Sequence, residues 1–559
     1  MIAGSLDAET RLGGQASRSV LALGFIVGLA NFAYYYARGL TTAHYDAKAH
    51  LVLARGVLDS TRPGYAQLGV NWLPLTHLLY LPFASIDRQY RSAFLPSLLS
   101  VISFALSAWL VFRIVARFTR LGAAGLFAAV YLVANANLQY LQSCPLTEPL
   151  YILLLLSAVD SLILWRESGA KSLPWAPAIW TSLGGLCRYE GWYLLAGIIL
   201  LLLWDYKVEY LPRRSVRRGA NVILIMFLAP VAAHVAYVHA QFGDTFLNRV
   251  VRGHPLPYET FRRPILSVIY HLGELSQVAG ILPLIAGLTG LFYCLMRCRP
   301  GLRRAPLFLL WLPSLMNVSA LYWGLIYRVR YSSLLLPALA VFGGITLLSG
   351  IVVRRLFVAL CFVALALPWL SWCFPQEWKY RFFFPGPGIL FLPAAALVLF
   401  LIGRTGSAYH WPLLALVVSA IQVPALRGEH RPMVVETLEH EFIEPERRQV
   451  LSYLRDHYDG SRILIDIGRL APLVYDSGLA VREFVYGEGD SISWKRAMEA
   501  PHITAGWLCL EKGDKVWQAV QVDPHWPDRY SLAVQTEHFL LYRLGSEFRQ
   551  ALPPGRRHE

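Results

Sequence analysis

Apolar runs of about twenty residues, separated by short polar turns, recur along the first three quarters of the chain. Thirteen stand out, roughly at 20–37, 93–115, 122–141, 147–165, 174–188, 192–204, 220–240, 278–296, 305–326, 333–353, 356–372, 388–402 and 411–426. A helix needs about 17–25 residues to cross a ~30 Å hydrocarbon core. The pattern therefore predicts an α-helical polytopic membrane protein with about thirteen transmembrane helices. Segments 174–188, 192–204 and 388–402 are short and must draw on flanking Trp and Tyr residues. No small-residue cleavage site follows Val20–Ala37, so this segment reads as the first retained helix rather than a signal peptide.

Two stretches depart from this pattern. Residues 39–92 separate the first two spans, and segments such as VNWLPLTHLLYLPF, with Trp72, His77 and Tyr80, read as amphipathic helices lying in the interface. They would shape a groove at the bilayer surface or form a buried plug. From about residue 430 the apolar runs give way to alternating helix and strand patterns. Glu444–Tyr458 and SWKRAMEA read as helices, RILIDI, ITAGWLCL and HFLLYRL as strands, and KVWQAV as a helical turn. The division is thus a membrane domain over 1–429, with its first outer loop at 39–92, and a small α/β domain over 430–559.

Composition agrees. Of 559 residues, 56% are hydrophobic and 16% charged, and the mean hydropathy is +0.44, which excludes one large soluble enzyme and a disordered chain. Residues 430–559 hold 16 basic and 20 acidic residues, against 35 and 16 before them. The positive excess therefore lies between apolar spans, where membrane orientation explains it better than nucleic acid does. Lys and Arg favour the turns that face the cytoplasm if the N-terminus does. Thirteen spans then put the C-terminal domain outside an inner, cytoplasmic-type membrane. Seven cysteines without paired CxxC spacing argue against a disulfide framework or zinc ribbon. Cys294 and Cys298 read as packing residues.

Three carboxylates fall at outer helix ends: Asp46 in HYDAKAHL, Glu148 in CPLTEPLY and Glu190 in CRYEGW. A carboxylate at the rim of an apolar bundle pairs, binds a ligand or lines a wet cavity; alternatively it caps a helix, a reading that suits Glu148 beside Thr147. Cations reach the same side against the orientation rule: Arg188, Arg328 and Arg330, with Arg249, Arg252, Arg262 and Arg263 in an outer loop over 241–277. Held there, arginines suit an anionic, phosphate-bearing ligand, whereas headgroup snorkelling accounts for Arg262 and Arg263. In the tail, Trp507, Trp517 and Trp526 suit core packing better than sugar stacking, and Asp466 and Asp476 read as turn or strand-end residues.

Taken in order, HYDAKAHLVLAR, TEPLY, RYEGW and RVRYSSLLLP resemble the motifs of the GT-C glycosyltransferases, in particular the protein-O-mannosyltransferase and lipid A aminoarabinose transferase superfamily. The likeness covers roughly residues 15–430. A second acidic residue often follows the first in that family, but here Asp46 is followed by Ala47. The resemblance implies a GT-C bundle and a sugar donor carried on a polyprenyl phosphate, consistent with the lack of a Gly-rich phosphate loop. It implies Asp46 as general base in an inverting displacement. Arg328, Arg330, Arg188 and Lys48 would hold the donor phosphate, and Glu148, Glu190, His50 and Tyr331 would orient sugar or acceptor. Lys48 and His50 remain open between phosphate and sugar. The acceptor would be a lipid, glycan or protein, with no nucleic acid partner. No cofactor is expected, although a divalent metal serves some GT-C enzymes. Rival readings are an oligosaccharide or polymer transferase of the same superfamily, and a lipid-linked sugar transporter or flippase, for which Asp160 would be a proton-relay candidate.

Overall fold

The computed structural model describes residues 2–243, 258–296, 301–346, 433, 437, 443–487, 489, 491–522 and 528–551. The predicted segments 356–372, 388–402 and 411–426 lie outside the described residues, as do Arg249, Arg252, Cys298 and Trp526. The helices in chain order are α1 (Ile2–Ala37), α2 (Tyr45–Leu58), α3 (Leu75–Ala84), α4 (Asp87–Ser92), α5 (Phe94–Thr119), α6 (Gly122–Ala134), α7 (Ala136–Leu141), α8 (Thr147–Glu167), α9 (Trp175–Cys187), α10 (Glu190–Lys207), α11 (Arg213–Phe242), α12 (Pro264–Ala279), α13 (Ile281–Met296), α14 (Leu312–Trp323), α15 (Leu336–Thr346), α16 (Glu444–His457), α17 (Ile467–Asp476), α18 (Ser491–Glu499) and α19 (Lys515–Val522). Five strands follow the membrane helices: β1 (Ile463–Ile465), β2 (Phe484–Val485), β3 (Trp507–Glu511), β4 (Tyr530–Gln535) and β5 (Phe539–Leu544).

Among the described residues, five helices are long and apolar enough to cross a membrane, and a sixth if the bent pair α12 and α13 is one span. The segment expected over 278–296 is not one helix. It breaks at Gly280, whose φ of 87° only glycine adopts readily, and the preceding helix extends back to Pro264 through residues expected as outer loop. The reason is visible in PILSVIYHLGELSQVA, where Pro264 opens an apolar, helix-period stretch. The segment at 305–326 starts as a 3-10 turn, Gly301–Trp311, that accommodates Pro306, before α14. The RVRY element is likewise a 3-10 turn, Val329–Leu335, leading into α15.

The chain divides into two compact units. The first takes Met1–Gly39, Ser97–Ala232 and Gly253–Glu436; the second takes Leu40–Pro96, Ala233–Arg252 and Thr437–Glu559. In the first, α9 packs between α8 and α10, α10 against α14, α13 against α15, and α12 against the Val329–Leu335 turn. Close approach of α9 and α10 is possible because Gly191 faces Gly184: a Cβ at Gly191 would sit 2.5 Å from Gly184 backbone atoms. Several charges in this unit are paired. Asp160 bonds Arg117 at 2.6 Å and meets Arg113 at 3.2 Å. The fully buried Asp205 receives both Nε (2.7 Å) and Nη2 (2.6 Å) of Arg166. Cys294 is a buried free thiol.

In the second unit a five-stranded mixed sheet runs in the order β2-β1-β3-β5-β4, parallel at β2/β1 and β1/β3 and antiparallel from β3 onward. Its core gathers Leu464, Val485, Leu508, Leu510 and Val516, with Trp517 packed against it. Trp507 is fully buried and donates to Asp459 at 3.1 Å; both tryptophans thus serve packing. Asp466 caps α17 by accepting from the Gly468 N–H. The helices α2 to α4 belong to this same unit. Tyr45 donates to the Gly468 carbonyl at 2.9 Å, Tyr475 to the Arg91 carbonyl at 2.7 Å, and Tyr486 to Gln67 at 2.7 Å.

Burial pushes the Asp514 carboxyl up to about 6, although it accepts from the backbone N–H groups of Glu511 and Trp517. Its folded value exceeds its unfolded value of ~3.9, so the stability it adds is present at low pH and lost as pH rises through about 6. Hydrogen exchange of the β3–α19 turn should show protection increasing by about 1 kcal/mol from pH 7 to pH 5, and Asp514→Asn should flatten that profile.

Candidate active site

In the first unit four of the expected rim residues, Glu148, Arg188, Glu190 and Arg330, form one buried ionic cluster. The α9–α10 connection holds Arg188 in extended backbone (φ −147°, ψ 152°) as the cap residue of α9. Two residues later Glu190 opens α10, where the helix dipole favours its charge. Arg188 clasps Glu190 bidentately, Nε to Oε2 at 3.1 Å and Nη2 to Oε1 at 2.9 Å. Its Nη1 reaches α8, bonding Thr147 Oγ1 at 2.6 Å and Glu148 Oε1 at 2.9 Å. Arg330 Nε approaches the same Glu148 oxygen at 3.0 Å. The Arg188 and Arg330 guanidiniums lie 5.0 and 5.5 Å from the centre of the Tyr331 ring.

This arrangement refines several expectations. Glu148 is not a helix cap: the cap position is Leu146, with no side-chain bond, and the Glu148 carboxylate is 99% buried between two guanidiniums. Arg188 uses every guanidinium nitrogen on Glu148, Glu190 and Thr147, so in this arrangement it holds carboxylates rather than presenting an open anion fork. Arg330 is buried, whereas Arg328, the cap residue of the 329–335 turn, is half-buried. Arg262 and Arg263 lie before α12; Arg262 takes a positive φ of 57°.

The second unit places Asp46, Lys48 and His50 along α2. His44 caps that helix, its Nδ1 accepting from the Asp46 N–H at 3.0 Å, so capping does not fall to the Asp46 carboxylate. Asp46 and His50, four residues apart, share one helix face. Lys48 donates to Asp476 at the end of α17, an ion pair that ties α2 to the sheet domain. His50 Nδ1 lies 3.0 Å from His77 Nε2, and His77 Nδ1 lies 3.1 Å from the Leu73 carbonyl. Trp72 packs against His50 edge-on, with ring centres 3.9 Å apart. His77 is a site neighbour that sequence reasoning noted only as part of the loop. Nothing in the spacing of His50 and His77, 27 residues apart, signals their contact.

For a metal, Glu446, Glu537 and His538 bring ligand atoms within 4.8 Å of one another. His538 meets Glu446 there through its N–H and Nδ1, both at 2.8 Å.

Removing the guanidinium that joins Glu148 and Glu190 leaves two buried carboxylates short of compensation. Arg188→Met should cost roughly 3–5 kcal/mol, read as a fall in the thermal midpoint of the detergent-solubilised protein. Arg188→Lys, which cannot form the fork, should recover only part of it.

No protein-family model matches the chain, and no curated protein sequence matches it significantly. Solved structures do. ArnT from Cupriavidus metallidurans bound to undecaprenyl phosphate superposes with a TM-score of 0.56 at 13% identity, over 95% of this chain and 98% of that one. Its apo form gives 0.55 at 13% identity, over 97% and 99%. At such identity the likeness establishes a shared fold.

Proposed function

We propose that this chain is a GT-C-type membrane glycosyltransferase that moves a single sugar from a polyprenyl-phosphate donor to an extracytoplasmic lipid, glycan or protein acceptor. The observation that carries the reading is the near end-to-end fold match to ArnT, a protein solved with undecaprenyl phosphate bound. Supporting it, Glu148, Arg188, Glu190 and Arg330, from the motifs TEPLY, RYEGW and RVRY, form one buried ionic cluster.

In this reading the sheet domain and the α2–α4 loop lie on the extracytoplasmic side of an inner membrane. Asp46 takes the proton from the acceptor hydroxyl as its oxygen attacks the anomeric carbon. The bond to the phosphate oxygen breaks, the configuration inverts, and the polyprenyl phosphate leaves with its electron pair. General-base help of this kind contributes ~10²–10⁴ in rate. Arg328 and Arg330 stabilise the charge that grows on the leaving phosphate. Arg188 acts through Glu148 and Glu190, fixing the carboxylates that orient sugar or acceptor, with Tyr331 beneath the two guanidiniums. Lys48, engaged by Asp476, braces α2. No step here requires a cofactor.

Two variants test the assignment on full-length protein with undecaprenyl-phosphate monosaccharides as donors. Asp46→Asn should cut turnover at least a hundredfold with little change in thermal midpoint; near-wild-type transfer would remove Asp46 from the role. Arg330→Ala should raise the KM for donor more than that for acceptor, and the reverse pattern would count against phosphate binding.

A further inference from the structure

Two ionic groups on α8 differ in their balance. Glu148 and Glu190 meet Arg188 and Arg330, two charges of each sign. Asp160 instead meets two guanidiniums, Arg117 Nη1 at 2.6 Å and Arg113 Nη2 at 3.2 Å, and among the described residues these arginines reach no other carboxylate. This group therefore keeps one positive charge in excess. Arg113 and Arg117 stand in the last two turns of α5, and α5 and α8 are both long and apolar enough to cross a membrane. Asp160 lies about 10 Å along the axis from Glu167, the last residue of α8. The excess charge thus sits within the apolar length of both helices, where an unbalanced ion is costly.

The group is not sealed inside the protein. The Arg113 and Arg117 side chains are 29% and 20% exposed, and Leu164, one turn beyond Asp160 on the same face of α8, is 43% exposed. Trp109 steadies Arg113: its ring centre lies 4.4 Å from the guanidinium, and its indole N–H donates to Ser17 Oγ at 2.7 Å. Arg120 is exposed three residues beyond Arg117. Arg303, bonded to Glu167 at 2.7 Å, lies 5.6 Å from the centre of the Phe118 ring, so the same rim carries further guanidiniums.

We propose that Arg113 and Arg117 bind the phosphate of an anionic membrane phospholipid, at the far end of α8 from Glu148. The phosphodiester supplies the second negative charge that Asp160 alone does not. Two guanidiniums present about ten N–H donors and one carboxylate about four acceptor sites, which leaves donors for phosphate oxygens. A zwitterionic lipid brings its own cation and balances nothing. Because the faces around the site are apolar, acyl chains fit beside Leu164 and free phosphate does not. The site lies wholly in the first unit, and its occupancy is independent of glycosyl transfer.

Full-length protein in non-ionic detergent tests this, titrated with phosphatidylglycerol, phosphatidylcholine or inorganic phosphate and read by native mass spectrometry and by the thermal midpoint. The first-bound phosphatidylglycerol should hold roughly fivefold tighter than phosphatidylcholine, the worth of one arginine beside an anionic lipid. Arg113→Gln leaves Arg117 and Asp160 as a neutral pair, so it should weaken that phosphatidylglycerol about fivefold and leave phosphatidylcholine within about twofold. Arg113→Lys, which keeps the charge, should retain most of the preference. Asp160→Asn raises the excess charge. Its midpoint should fall in phosphatidylcholine and recover in phosphatidylglycerol, a rescue that a purely structural ion pair does not give. Equal binding of the two lipids by the wild-type chain, or undiminished phosphatidylglycerol binding by Arg113→Gln, would overturn the proposal. So would a midpoint rise with inorganic phosphate as large as that with phosphatidylglycerol, since the occupant would then not be a lipid.

Discussion

The first unit depends on the guanidinium of Arg188. A carboxylate taken from water into an apolar bundle costs several kcal/mol unless an opposite charge and hydrogen bonds meet it there. Arg188 meets two at once, and Arg330 supplies the second positive charge, so Glu148, Glu190, Arg188 and Arg330 sum to zero. The arrangement joins the start of α8, the start of α10 and the 329–335 turn, elements up to about 180 residues apart in sequence. It also divides the arginines by task. The Arg188 guanidinium has all its nitrogens held by carboxylates and a threonine hydroxyl, whereas in the proposed reading anion recognition falls to Arg328 and Arg330.

The same compensation recurs further along α8. Asp160 meets Arg113 and Arg117, and Arg166 meets Asp205. Between Glu148 and Asp160 the helix carries no charged residue. At 1.5 Å per residue, Glu148 and Arg166 are about 27 Å apart along the axis, close to the ~30 Å thickness of a hydrocarbon core. Asp160 lies about 18 Å along the axis from Glu148, so the uncharged stretch covers roughly the first two thirds of α8. The proton-relay candidate Asp160 is ion-paired with two arginines.

Much of the first unit could be read from the chain because apolar runs and turn chemistry are local signals. The starts of α5, α8, α9 and α10 fall within a few residues of the predicted positions. The break at Gly280 was also written locally, in the Gly-Ile-Leu-Pro that follows Ala279, but the apolar run across it masked the signal. Partners were not legible. Arg188 reads as a free cation until α9 and α10 approach through Gly184 and Gly191, and Lys48 reads as a phosphate ligand until Asp476, 428 residues away, is brought to it. In the tail, β2 has only two residues, too few for a period, and Pro472 within APLVYD concealed α17.

The second unit explains why a small sheet domain should accompany α2. On its own, α2 is a fourteen-residue helix, a length at which an isolated helix is marginal in water. Here Tyr45 and Lys48, on its first turn, are fastened to the two ends of α17 at Gly468 and Asp476. Gln67 accepts from Tyr486, and Arg91 donates to the Gly478 carbonyl. Asp46 lies between the two fastened residues of α2, so its backbone position is set by the sheet as much as by its own helix. A base that must meet a hydroxyl within hydrogen-bond distance tolerates little displacement, since a misplacement of about 1 Å can cost a hundredfold in rate. The sheet domain therefore contributes to catalysis, in this reading, by rigidity: it supplies no nucleophile, but it holds still the helix that carries the base.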